Sequence, residues 1–193
     1  MARPWRRTSV AVVLAIVGAG HVQAASKTGF TSTNDAACEV AKAVMPALLA
    51  GAKDWKRVTL SLSPPTFSLA RHSEATVGSG WDGDAPSPDL VHRFYAAQRW
   101  ARPVCKDALD QIRTKGASTL DASETAKVLR PPPAANSPFV HKIGEPVISS
   151  DGSNALVFAT VERASLGGGE RLLHLARTGS GWKVVGVKIL AIS

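Results

Sequence analysis

Apolar residues gather into strand-length runs in the last third of the chain. Ala155–Ala164, Glu170–Arg177 and Trp182–Ala191 are predicted strands, and Phe139–Ser149 is strand-like. Val185, Val187, Ile189 and Ala191 fall on one face of the last strand, with Leu173 and Leu175 placed to line the same face of its neighbour. Turn residues separate these runs: Asp151-Gly152-Ser153-Asn154 and Thr178-Gly179-Ser180-Gly181. Gly167-Gly168-Gly169 reads as a flexible hairpin end. The pattern predicts an antiparallel meander.

Upstream the period changes. Ala37, Val40, Ala41, Val44, Met45, Leu48 and Leu49 recur at helical spacing, so Asn34–Ala50 is a predicted helix. Ser32 and Asp35 are its candidate caps, Gly51 its stop, and Pro46 a predicted kink. Residues 56–62 alternate as a strand that Pro64-Pro65 ends. Residues 66–88 are rich in Gly, Pro, Asp and Ser and predict a long exposed loop. Ser87-Pro88 opens a helix with Leu90, Val91, Phe94, Tyr95 and Ala101 inward, ended by Arg102-Pro103. Val104–Ile112 fits a short strand or a helical turn. Asp121 and Glu124 form a capping box before a helix to about Leu129, and Pro131-Pro132-Pro133 is an extended spacer. The predicted fold class is α+β: one domain over 34–193, with helices covering one face of an antiparallel sheet.

The N-terminus changes the setting. Arg3, Arg6 and Arg7 precede an uncharged apolar run from Val10 to Gly20, and Val22-Gln23-Ala24 supplies small residues where a signal peptidase reads. This order predicts a cleaved secretory signal over residues 1–24, with Ala25 as the new N-terminus and 25–33 as a mobile leader. The run is shorter than the roughly 20 apolar residues a membrane span needs. The flanks of Arg6-Arg7 do not match a twin-arginine signal, and no Cys follows the run to carry a lipid. Cleavage takes the chain from 193 residues to 169 and, by removing three arginines, the net charge from +8 to +5. One domain with a sizeable core fits that length. The basic residues are scattered, without the dense face that nucleic-acid binding requires. Export also gives Cys38 and Cys105, the two cysteines present, a reason to pair: in an oxidising compartment they predict one disulfide closing 67 residues.

Candidate chemistry is sparse. No Gly-x-Ser-x-Gly motif is present, and Arg71-His72-Ser73-Glu74 places its members on alternating sides of an extended segment, so it is not a triad by itself. Asp82, Asp84 and Asp89 lack the ordered spacing of a calcium loop. His72, His92, His141 and His174 show no zinc spacing. Gly167–Gly169 lacks the helix that a phosphate loop needs. These readings give no catalytic, metal or cofactor-binding residue and no cofactor. Tyr95, His174 and Trp182 are the candidate residues for a pocket on the open side of the sheet.

The C-terminal hairpins, with Asp151-Gly152, Ala155-Leu156-Val157, Gly167-Gly168-Gly169-Glu170, Leu172-Leu173 and Gly181-Trp182-Lys183-Val184-Val185, resemble those of small exported bacterial proteins of uncharacterised function. The closing Gly-x-Trp-Lys-Val strand also resembles the cystatin-like and ketosteroid-isomerase-like cone folds, over about residues 88–193. That resemblance implies a fold and no activity, since the acidic catalytic residues of cone-fold enzymes have no counterpart here. The sequence thus predicts a periplasmic or secreted protein, non-catalytic, serving as a binding or envelope-accessory domain. Its partner would be another envelope protein or an anionic envelope component; nucleic acid and a transmembrane span are not expected. The alternative is a small-ligand or enzymatic domain with a cone-shaped pocket.

Overall fold

The computed structural model describes residues 29–49, 55–97, 105–130, 137–164 and 167–192. The predicted signal segment, Ala25, Gly51, Ala101–Pro103 and the proline spacer lie outside the described residues. The chain is α+β, built on a mixed, mostly antiparallel sheet of eight strands.

Three long strands make its centre: β6 (Asn154–Arg163), β7 (Gly167–Thr178) and β8 (Gly181–Ile192). They pair antiparallel in sequence order, as the meander pattern predicts. The turn before β6 is set by Asp151, which accepts from the Ser153 amide at 3.0 Å and from the Ser149 and Ser153 hydroxyls. These bonds hold its carboxyl down at about 2, so it stays charged near neutrality. Gly152 supplies the positive φ of 71° that the turn needs.

The strand-like run before that turn is two pieces, β4 (Val140–Ile143) and β5 (Val147–Ile148), both pairing antiparallel with β6. Beyond β4 the sheet departs from a meander. The strand β1 (Thr59–Ser61) lies parallel to β4 on one side and to β3 (Ser118–Leu120) on the other. At the opposite edge β2 (Asp82–Gly83) pairs antiparallel with β8. There Gly83 faces Gly186, and a Cβ on Gly186 would lie 2.2 Å from the Asp84 carbonyl oxygen, so the close approach requires glycine.

Helices cover both faces, which corrects the expectation of one covered face. Alternate residues of β6 point to opposite sides. Ala155, Val157 and Ala159 join Leu173 and Leu175 under helix α1 (Gly29–Leu48) and helix α4 (Lys106–Arg113). Val40, Val44, Leu48, Leu109 and Ile112 are among the buried contacts from those helices. Cys38 and Cys105 are bonded, with Cα atoms 5.5 Å apart, tying α1 to the residue that caps α4. On the second face Leu156, Phe158 and Leu172 pack under Phe67, Val77 of α2 (Glu74–Gly78), and Leu90, Val91 and Phe94 of α3 (Pro88–Ala97). The Phe67 ring stands edge-on to Phe94, Tyr95 and Phe158 at 5.2, 5.9 and 5.0 Å. Among the described residues no helix is long and apolar enough to cross a membrane.

Other expectations are also corrected. Residues 66–88 are not one exposed loop: they hold α2 and β2, and bury Phe67, His72 and Val77. Their apolar residues are spaced singly, so no period betrays them. Gly167–Gly169 belongs to β7 instead of forming a loose hairpin end. Helix α1 starts at Gly29, ahead of Asn34, so Ser32 and Asp35 lie inside it, and Pro46 falls in its last turn. Val104 lies outside the described residues, and the alternative readings of the segment after it resolve to α4, capped by Cys105. In β8, irregular register beside Glu170/Arg171 and His174/Leu175 breaks strict alternation. As a result Trp182 and Val184 pack on the α1 side. Ile189, opposite Arg171, is 65% exposed. The capping box of Asp121 and Glu124 is present at the start of α5 (Ala122–Val128).

Candidate functional site

The second face runs out of apolar cover at one end. Following β6 past Phe158, the next residues on that face are Thr160 and Glu162. Thr160 stands opposite Lys142 of β4 and Glu170 of β7, and Glu170 stands opposite Ala191 of β8. A polar row therefore crosses three strands, β4, β6 and β7, where an apolar row lies beneath Phe67 and α3. Above it is a groove of about 490 Å³, whose lining includes Thr66, Arg71, Lys142, Glu162 and Glu170.

Glycine makes the floor. Gly167, Gly168 and Gly169 line the groove with bare backbone. A Cβ on Gly168 would meet the Val161 carbonyl oxygen at 2.4 Å, so no side chain can rise there without moving the strand.

The charges are interlocked. Glu170 accepts from Arg71 Nη2 at 2.9 Å through one oxygen and from His72 Nε2 at 2.7 Å through the other. Its side chain is 15% exposed and that of His72 only 6%, while Arg71 reaches into solvent. Glu162 accepts from Lys142 Nζ at 2.8 Å and from the Thr160 hydroxyl at 3.2 Å. Arg163 lines the groove as well; its Nε donates to the Ser137 carbonyl at 3.0 Å, with its guanidinium over the Phe139 ring.

The Arg71–Glu74 run is thus split among separate tasks. His72 turns inward to Glu170, Ser73 caps α2 by accepting from the Thr76 amide at 3.1 Å, and Glu74 turns out toward His92 Nδ1 at 3.3 Å. Asp82, Asp84 and Asp89 are exposed, and among the described residues no group of three or more His, Cys, Asp or Glu side chains is placed to hold an ion.

Tyr95, His174 and Trp182 are not brought together. Trp182 packs on the α1 face. His174 lies buried on the other face, its Nδ1 donating to the Asp84 carbonyl at 2.9 Å and its Nε2 3.0 Å from Asn154 Oδ1. There it helps to hold the β2 segment, and Lys188 Nζ donates to the nearby Ser79 carbonyl. Tyr95 packs beside Phe67; its hydroxyl is buried without a partner among the described residues, and burial, then the Glu74 charge, raises its pKa. His141, on the α1 face, is held down at about 4 by burial and then by the Arg171 cation.

The groove residues Lys142, Thr160, Glu162 and Glu170 were not singled out from sequence. A signal for two of them existed: the parity of Leu156 and Phe158 continues into Thr160 and Glu162, an apolar face turning polar within one strand. Comparison with family models, with curated proteins and with solved structures gives no match to this chain, so no relative assigns the groove a role.

Proposed function

We propose that the protein is exported and works outside the cytoplasm as a non-catalytic binding domain, with the glycine-floored groove as its contact site. The observation that carries the reading is the groove itself: a polar, charged recess set on paired strands beside the Phe67–Phe158 apolar cluster. A site on strands holds its polar groups in fixed geometry, as recognition of a small polar ligand requires. Its carboxylates are each engaged by cations, and His72 is buried against one of them. That arrangement serves fixed recognition better than proton transfer to a bound substrate. Export is supported by the charged, apolar and small-residue order of residues 1–24, and a Cys38–Cys105 bond is compatible with an oxidising compartment.

Two measurements test this reading. Expression of the full chain in a bacterium, with cell fractionation and intact mass, should give a periplasmic product beginning at Ala25. A full-length cytoplasmic product would overturn export. Titration of the labelled protein with a low-molecular-weight envelope extract should move amide signals around Thr66, Arg71, Gly168 and Glu170. Shifts confined to other surfaces would remove the groove from the proposal.

A further inference from the structure

We infer that the groove takes a small zwitterion of the free amino-acid type, its carboxylate on Arg71 and its ammonium on Glu162. This deepens the binding-site reading above and rests on it.

The lining charges are nearly balanced: Arg71, Lys142 and Arg163 against Glu162 and Glu170. A simple anion entering the groove meets a carboxylate, and a simple cation meets a guanidinium or ammonium. A ligand carrying both charges meets an opposite partner for each. No aromatic ring lines the groove among the described residues, so there is no stacking platform for a sugar or a base.

Both partners keep capacity for a ligand. The bond from Arg71 to Glu170 uses Nη2 alone, and a guanidinium carries further N–H donors in a fork that suits a carboxylate. Glu162 accepts one bond at each oxygen, and each carboxylate oxygen can accept a second. Glu170, which anchors Arg71, is opposite Thr160, so Glu162 is its diagonal neighbour across the strand pair. One small zwitterion can therefore meet Glu162 on β6 and the Arg71 guanidinium anchored on β7 within the same groove. The bare glycine floor permits close approach, and Leu129 and Ala164 offer an apolar wall for the side chain.

The test uses the folded, disulfide-bonded chain and four probes followed by calorimetry and amide shifts: L-leucine, N-acetyl-L-leucine without the ammonium, L-leucinamide without the carboxylate, and acetate. Leucine should bind and move groove amides, while each one-charge analogue binds roughly tenfold or more weakly. Glu162→Gln should lose leucine and gain N-acetyl-leucine, because the carboxylate that repels the anion is gone. Arg71→Gln should lose leucine and gain leucinamide. A merely structural role for either residue would weaken all probes alike and would overturn the assignment. Groove shifts with acetate or N-acetyl-leucine at least as strong as with leucine would overturn the ligand class and leave the groove as a binding site. If no probe moves groove amides while envelope extract moves others, both readings fall.

Discussion

The two faces of the sheet share the same strands but are covered by different kinds of chain. On one side lies the long helix α1, with α4 beside it and the Cys38–Cys105 bond holding the pair. On the other lies residues 67–97, two short helices joined by extended chain and pinned by single hydrogen bonds such as His174 to Asp84. The first cover is apolar over Ala155, Val157 and Ala159. The second is apolar only over Leu156 and Phe158, and beyond them Thr160 and Glu162 open into the groove. Strand parity alone therefore does not give a face one character. What lies above it decides whether its end becomes core or site.

The sharpest way to break the second cover is Phe158→Ala. Its ring is 1% exposed at the centre of the Phe67–Phe94 cluster, and removing such a ring costs about 3–5 kcal/mol. Chemical denaturation should show that loss; a drop below about 1 kcal/mol would mean that the cluster repacks without it.

Breaking the first cover should cost somewhat less. Cys38→Ser with Cys105→Ser removes the closure of 67 residues and should lower stability by about 2–4 kcal/mol. Leucine binding by the protein that remains folded should persist, since the bond ties the cover of the opposite face. Loss of binding at full folding would show that the two faces are coupled.

The smallest effect concerns pH on the α1 face. The His141 imidazole is held at about 4 when folded, against an ordinary value of 6.5. Between those values the unfolded chain binds a proton that the folded chain does not. Its contribution is therefore fully present above about 6.5 and is lost as pH falls toward 4. Denaturation at a series of pH values should show this decline, and His141→Gln should flatten it relative to the parent. An identical decline in the variant would assign the effect to the carboxylates.

Much of the architecture was legible in the sequence because it is written locally. The capping box at Asp121 and Glu124 and the Asp151–Asn154 turn need only neighbours a few residues away. The 66–88 segment was not legible. Phe67 and Val77 are isolated among polar residues, and their burial comes from Phe94, Leu156 and Phe158, far along the chain. The strand β1 was legible as a strand, but its parallel pairing with β3 and β4 was not, since alternation carries no direction.

The sequence by itself determined the strands β6 to β8, the helix with Cys38 on it and, through the cysteine count and the export pattern, the prediction of one disulfide. Tertiary structure decided that Arg71 and His72 meet Glu170 from about a hundred residues away, that Lys142 and Thr160 join Glu162, and that Tyr95, His174 and Trp182 stay apart. The reason is physical: periodicity is set by backbone geometry within one element, whereas a site is set by register between elements, which no single element encodes.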